Sequence, residues 1–323
     1  MHTGTLATAL ACCALALPAW AQAPGGYPNK SIRVLLPSSA GGPVDVVART
    51  IGPGFSEALG QQLVMDNRAG AGGVIGAEIV ANAAPDGYTL MISHSGPLAI
   101  EPLMQIKPRY DPIRDFAPIS LVAATPYLLL VHPNVPAKSV TELVKLAKAQ
   151  AGKLNFASGG PGTGIHMAAE LLNVAAGIQV THVPYKGAGP GMTALISGEV
   201  AMMFNGLPSA LPQVKAGRLR ALAVAGAKRT ALLPELPTIA ESGIVYDTSG
   251  WYGLVAPRGT SPAIVAVLQR NLAKALATPD MQKRLADLGI DPIGSTPEEL
   301  ARFLKEEQAK WSKVVKAVGI KPH

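Results

Sequence analysis

The chain has 323 residues, 48% hydrophobic but only 5% aromatic, with 34 Gly, 28 Pro and a formal net charge of +7. That length is a prior for two domains. Lys and Arg are scattered, without a basic cluster or a helix-turn-helix pattern, which argues against nucleic acid and leaves attraction of small anions or a basic surface serving solubility.

Residues 1–21 read as an export signal. Leu6 to Leu17 is an apolar stretch broken by Pro18, and Ala19-Trp20-Ala21 offers a small-x-small cleavage site before Gln22. The stretch is shorter than the ~20 apolar residues that a membrane span needs. Only His2 supplies any basic character before Leu6, so a mis-assigned start or a buried helix is the alternative. Cys12 and Cys13 both lie here; Ala9-Leu10-Ala11-Cys12 is a poor lipoprotein box, with Ala9 where a Leu is wanted, and lipidation is disfavoured. Cleavage after Ala21 leaves no cysteine, hence no disulfide, thiolate nucleophile or Cys-ligated metal. The expected product is exported to the periplasm as a monomer.

Short β-branched runs then alternate with amphipathic stretches, the signature of an α/β protein. Ser31–Pro37 reads as a strand and Pro43–Leu59 as a helix, with Pro43 suited to the first helical position. Gly52-Pro53-Gly54 is expected to break or kink that helix midway. Gln61–Asp66 is a strand, followed by the glycine-rich turn NRAGAGGVIGAE (Asn67–Glu78), a helix to Ala83, and a turn and strand over Pro85–His94. Ile119–Thr125 and Tyr127–Pro133, joined by Pro126, are two apolar runs that look like a crossing between domains. A second α/β unit follows, with strands near Leu154–Ser158, Gln179–Tyr185, Val200–Asn205 and Ala221–Ala225. Helices alternate with them at Ser139–Gln150, Gly164–Ala176, Gly187–Ser197 and Pro208–Ala216. Thr248–Pro257 is a second extended stretch that returns the chain, and the tail is helical over Ser261–Ala277, Pro279–Leu288 and Pro297–Val318. In the last of these, Leu300, Phe303, Leu304, Trp311 and Val315 have core spacing. The expected lobes are residues 22–124 plus 252–323, and 125–251, with a cleft between them.

Glycine turns in both lobes would face that cleft: PSSAGGPVD (Pro37–Asp45), Asn67–Glu78, SGGPGTGIHMAAE (Ser158–Glu170) and YKGAGPGM (Tyr185–Met192). A helix amino end presents unpaired N–H groups and roughly half a positive charge, and glycine lets a ligand approach the backbone. The dinucleotide pattern G-x-G-x-x-G fails in all three candidate stretches, at Ile75, Ile165 and Met192, and no G-x-x-x-x-G-K-S/T occurs. There is no G-x-S-x-G elbow and no H-E-x-x-H. His166 and Glu170 share a helix face and suit an intrahelical pair or a lobe wall better than a metal or an acid–base couple; a hydrolase or isomerase using them is the rival reading. His94 and His182 end strands, where a satisfied structural histidine is the commoner outcome. No metal, cofactor or enzymatic activity is expected. Helix ends with hydroxyls at Ser38, Ser39, Ser93, Ser95, Ser158 and Thr163 and few fixed charges suit carboxylates better than phosphates.

YPNKSIRVLLPSSAGGPVDVVAR, NRAGAGGVIGAEIVANAAPDGYTL, HVPYKGAGPGMTALISGEVAMMFNGLPSALPQVKAGRLRALAV and the closing WSKVVKAVGIKP resemble the Bug family, the extracytoplasmic receptors of tripartite tricarboxylate transporters, from Tyr27 to Pro322. The resemblance implies a periplasmic binding protein fold of type II, two α/β lobes joined by two crossing segments with the ligand held between them. It implies carboxylate ligands: di- or tricarboxylates, acidic amino acids, nicotinate or aromatic acids. It also implies the membrane subunits of such a transporter as partners; a sensor kinase is the alternative. Carried onto this chain, the first lobe's ligand loops fall on Ser38, Ser39, Ala40, Gly41, Gly42 and Asp45 and on Gly70, Ala71 and Gly72, with Ser93 and Ser95 beside them. The facing set falls on Ser158, Gly160, Gly162, Thr163 and His166, on Tyr185, Lys186 and Gly187, and on Asn205. The family commonly carries Asp where Ala201 and Asn205 stand here. With no acid to meet an amine in that stretch, the expected ligand is a di- or tricarboxylate or an aromatic acid without an amino group.

Overall fold

A computed structural model describes residues 25–320, so the expected leader and both cysteines lie outside the described residues. Strand β1 (Ile32–Leu36) leads through the Pro37–Gly42 turn into α1 (Pro43–Leu59), then β2 (Leu63–Asn67), α2 (Val74–Ala81) and β3 (Thr89–Ser93). Strand β4 (Phe116–Val131) opens the second unit: α3 (Val140–Ala149), β5 (Asn155–Ser158), α4 (Gly164–Ala176), β6 (Thr181–Pro184), α5 (Ala188–Ser197), β7 (Met202–Gly206), α6 (Leu207–Lys215) and β8 (Arg220–Val224). Strand β9 (Ser249–Pro257) brings the chain back to α7 (Pro262–Leu276), α8 (Pro279–Asp287), the two-residue β10 (Asp291–Pro292) and α9 (Pro297–Val318).

The strand order is β2-β1-β3-β9-β4-β7-β5-β6, with β8 and β10 also on β4. The two expected apolar runs and the proline between them form one strand of 16 residues, about 50 Å of extended chain. From Phe116 to Pro126 it pairs antiparallel with β9; from Tyr127 to Val131 it pairs instead with β7, and over Leu128–Val131 with β8 on its other edge. Partner exchange at a proline is chemically sensible, since Pro126 has no N–H to give to a ladder. The molecule is therefore two α/β lobes sharing β4, with β9 as the second crossing.

Each lobe has its own core. In the first, α1, α7 and α8 bury Ile51, Phe55, Leu268 and Leu285 on one sheet face. On the other face α2 and α9 bury Val80, Leu300, Leu304, Trp311 and Val315, as the stripe in the tail predicts, with Phe303 half-buried against them. Helix α9 starts at a capping box, with the Thr296 hydroxyl accepting from the Glu299 N–H and the Glu299 carboxylate from the Thr296 N–H. The second lobe centres on Leu129, Phe156, Leu172 and Phe204. Among the described residues no helix is long and apolar enough to cross a membrane.

One local expectation fails. Helix α1 runs unbroken through Gly52-Pro53-Gly54. The two glycines sit where side chains would collide: a Cβ on Gly52 would stand 2.8 Å from Met65 Cε, and one on Gly54 2.9 Å from Met281 Cε. Close packing of α1 on its neighbours, with Ile51 and Phe55 fully buried, outweighs the hydrogen bond that Pro53 forgoes. The helical turns over Gly96–Ile100 and Glu101–Met104, and β10, have no counterpart in the sequence reading.

Candidate functional site

Strands β1 and β5 end at the junction between the lobes, and the helices that follow begin there. The amino end of α1 (Pro43, Val44), that of α4 (Gly164, Ile165) and that of α5 (Ala188) all line one cavity. Its remaining wall is Pro37, Ser38, Gly159, Thr163 and Gly187 from the turns, His94 after β3, and Tyr127 and Tyr252 from the two crossing strands.

The three helix ends are open in different degrees. Gly42 and Gly187 precede α1 and α5 and supply no side-chain cap. Thr163 caps α4, but its hydroxyl takes only the His166 N–H. First-turn amides such as those of Val44, Gly164 and Ile165 have no carbonyl four residues back, so a ligand oxygen can use them. No Asp, Glu, Lys or Arg side chain lines the cavity. Burial pushes the Tyr252 hydroxyl up to about 12 and raises that of Tyr127 further, so both are neutral at physiological pH.

Of the residues expected from the sequence, Ser38, Thr163 and Gly187 line this cavity. Gly42, just before α1, is buried beside it, a Cβ there standing 3.1 Å from Ser38 Oγ and 3.4 Å from Ala188 Cβ. Ser158 lies beneath it: its hydroxyl accepts from the Gly160 N–H and pairs with His182 Nε2 at 2.6 Å. His166 Nδ1 accepts from the Gly162 N–H, and the rings of His166 and His182 stack at 4.0 Å. The two histidines thus shape the Ser158–Thr163 turn and do not face the cavity. Glu170 lies 3.7 Å from His166 Nε2; burial pushes its carboxyl up, but that ring and the Asn173 amide outweigh burial and hold it below the usual range. Ser93 is buried with a hydroxyl that no described residue satisfies; the Ser95 hydroxyl lies against that of Tyr127, and a Cβ on Gly164 would touch both Ser95 Oγ and Tyr127 Oη at 2.5 Å.

Other expected residues serve the frame. Asp45 is buried with one carboxylate oxygen on the Gly41 N–H (3.0 Å) and the other on Arg49 Nε (2.8 Å), so it shapes the turn, its charge is met by Arg49, and it is not in the cavity lining. Ala40, Gly41 and Tyr185 line a shallower outer groove; the Tyr185 hydroxyl donates to Glu199, and Lys186 is exposed. Asn205 is buried but is not in the lining: its carboxamide oxygen accepts from the Gly206 N–H, while Nδ2 has no partner among the described residues. The expectation that rests on Asn205 facing the cleft is therefore not met: its side chain is outside the lining, which itself carries no charged side chain.

Gly70, Ala71 and Gly72 are not in the lining either. Their turn meets the opposite lobe directly. A Cβ on Gly72 would lie 2.3 Å from the Pro161 carbonyl oxygen, and one on Gly160 3.3 Å from the Gly72 nitrogen. A second contact matches it, where a Cβ on Gly187 would lie 2.3 Å from Ser39 Oγ and the Gly189 N–H donates to that hydroxyl at 3.1 Å. Both glycine turns let backbone approach backbone across the cleft, which places the lobes in a closed arrangement. Sequence reasoning missed His94, Tyr127 and Tyr252 as wall residues; two of them sit on the crossing strands, and only strand register could have revealed them.

The buried histidines make stability depend on pH. Burial lowers His94 to about 4, and burial with the neighbouring His166 ring lowers His182 to about 4, from an ordinary 6.5. Between those values the unfolded chain binds more protons than the folded one, so folded-state stability is complete above about 6.5 and declines toward 4. The melting temperature followed by circular dichroism should fall as pH drops from 6.5 to 4.5, and less steeply in His182→Asn; a flat profile over that range would refute this.

Comparison with known proteins agrees with this architecture. Residues 47–320 match the family model for the tripartite tricarboxylate transporter family receptor, TctC. R. palustris Rpa4515 with adipate superposes with a TM-score of 0.89 at 37% identity, covering 92% of this chain and 100% of that one. The periplasmic binding protein BugD gives 0.88 at 34%, covering 91% and 99%. MatC from Rhodopseudomonas palustris with bound malate gives 0.86 at 35%, covering 90% and 100%.

Proposed function

This chain belongs to the tripartite tricarboxylate transporter receptor family, the Bug receptors, and on that premise we propose that it captures a small organic carboxylate lacking an amino group and presents it, lobes closed, to the membrane subunits of such a transporter. The family is one of periplasmic solute-binding receptors, not of enzymes. The observation that carries the reading is the convergence of three helix amino ends on one cavity without a charged side chain. Each end contributes roughly half a positive charge and free N–H donors, so an anion gains where an ammonium would be repelled and find no carboxylate partner. Adipate and malate, the molecules named with two of the relatives, each carry two carboxylates and no amine. Closure around such an acid creates the form that a membrane partner recognises.

Calorimetry with matched pairs tests this. Succinate is expected to bind at least tenfold more tightly than aspartate, and glutarate more tightly than glutamate; the reverse order in both pairs refutes the reading. Delivery is tested by uptake of the preferred acid, which should be lost in cells lacking this receptor.

A further inference from the structure

His94 lies just past β3, is 9% exposed and lines the cavity. Its Nδ1 accepts from the Gly96 N–H at 3.1 Å, which assigns the ring proton to Nε2. Gly96 also backs the ring, since a Cβ there would stand 2.7 Å from His94 Cε1. Burial keeps the imidazole uncharged at neutral pH. With Nδ1 engaged and one ring edge against Gly96, the Nε2–H edge is the donor that remains for the cavity.

Resting on the carboxylate reading above, we propose that His94 is a specificity-determining residue whose Nε2–H donates to an oxygen of the bound acid. In this tautomer the Nε2 edge donates and cannot accept, so the ligand group beside it is an acceptor and cannot be an ammonium. The first-turn amides of α1, α4 and α5 suffice for one carboxylate. A further donor of a different kind, coming from the first lobe's sheet, favours an acid with a second oxygen function, a second carboxylate or a hydroxyl or keto group, over a simple monocarboxylate. A hydrogen bond to a charged oxygen is also the stronger kind, so its loss is readable.

Two substitutions separate this role from support of the turn. In His94→Asn the side-chain oxygen can replace Nδ1 and keep the Gly96 N–H satisfied, but nothing reaches the Nε2 position. In His94→Gln the amide nitrogen can stand near the Nε2 position. Calorimetry on the whole protein would use succinate, malate, glutarate, adipate and, as the monocarboxylate, butyrate. For the tightest-binding diacid, His94→Asn is expected to weaken binding roughly ten- to hundredfold at a nearly unchanged melting temperature, with His94→Gln recovering most of it. In the wild type the His94 Nε2–H resonance should shift on adding that diacid, a readout available even if a variant fails to fold. An Asn variant that binds like wild type, or a resonance that does not move, overturns the role of His94 and leaves the carboxylate reading standing. Failure of the wild type to bind any of the five acids, or citrate or benzoate added to the panel, overturns that reading and this inference with it.

Discussion

Gly72→Val is expected to abolish carboxylate binding, weakening it at least ~100-fold, while the protein still folds. The closed arrangement puts the Pro161 carbonyl oxygen 2.3 Å from where a Cβ would stand, and that oxygen belongs to the backbone of the other lobe. A side chain there meets that oxygen unless the cleft opens, and the Glu101 carboxylate of its own lobe, with Oε1 2.6 Å away, must swing aside as well. A block that makes closure cost about 3 kcal/mol lowers the apparent affinity by more than two orders of magnitude, because only the closed fraction holds ligand on both sides. Backbone strain must be separated from this clash, since Gly72 has φ of 63° and a β-branched residue is strained in the left-handed region. Gly177 is the control: its φ is 58°, and a Cβ there meets nothing within 4 Å. Gly177→Val, which carries the strain without either contact, should lose melting temperature, by no more than Gly72→Val, and bind normally. Calorimetry with the preferred acid, circular dichroism, and small-angle scattering with and without ligand decide the matter. Binding by Gly72→Val within tenfold of wild type would mean that the contact with Pro161 is not part of the liganded form.

Val44→Asp should weaken the same acid about a thousandfold. Val44 is the second residue of α1, 4% exposed, and lines the cavity. A carboxylate there faces the ligand's carboxylate across a few ångströms; at 4 Å and an effective dielectric of 20 the repulsion is about 4 kcal/mol, some three orders of magnitude in affinity. It would also occupy the helix-end amides that the ligand uses. Folding should suffer less, because an acidic side chain in the first turn of a helix recovers about 0.3–1 kcal/mol of what is lost with the valine methyls. Val44→Thr, nearly the same shape without the charge, is expected to stay within about tenfold of wild type. Equal binding by Val44→Asp and wild type would remove this cavity as the carboxylate site.

Local chemistry determined much of this protein from the sequence alone. Alternation of β-branched runs with 3.6-residue periodicity identified two α/β units, and the stripe from Leu300 to Val315 identified a core-facing helix, because these patterns depend only on which neighbours along the chain share a face. Failed nucleotide fingerprints at Ile75, Ile165 and Met192 and the open turns before Pro43, Gly164 and Ala188 pointed to a small anion for the same reason: a helix end's donors belong to the helix itself. Which turns meet the cavity and which meet each other was decided only by the tertiary structure. Gly42 and Gly72 both sit in glycine-rich turns between a strand and a helix, yet one lies beside the cavity and the other packs on Pro161, because lobe closure sets their distances to residues more than eighty positions away. Tyr127, Tyr252 and His94 entered the wall through the register of β4 on β9 and of β3 on β9, while Asp45 and Asn205 turned their polar atoms to the backbone beside them. Such choices depend on long-range pairing, and a one-residue change of register would send each strand side chain to the opposite face without altering the local pattern that the sequence displays.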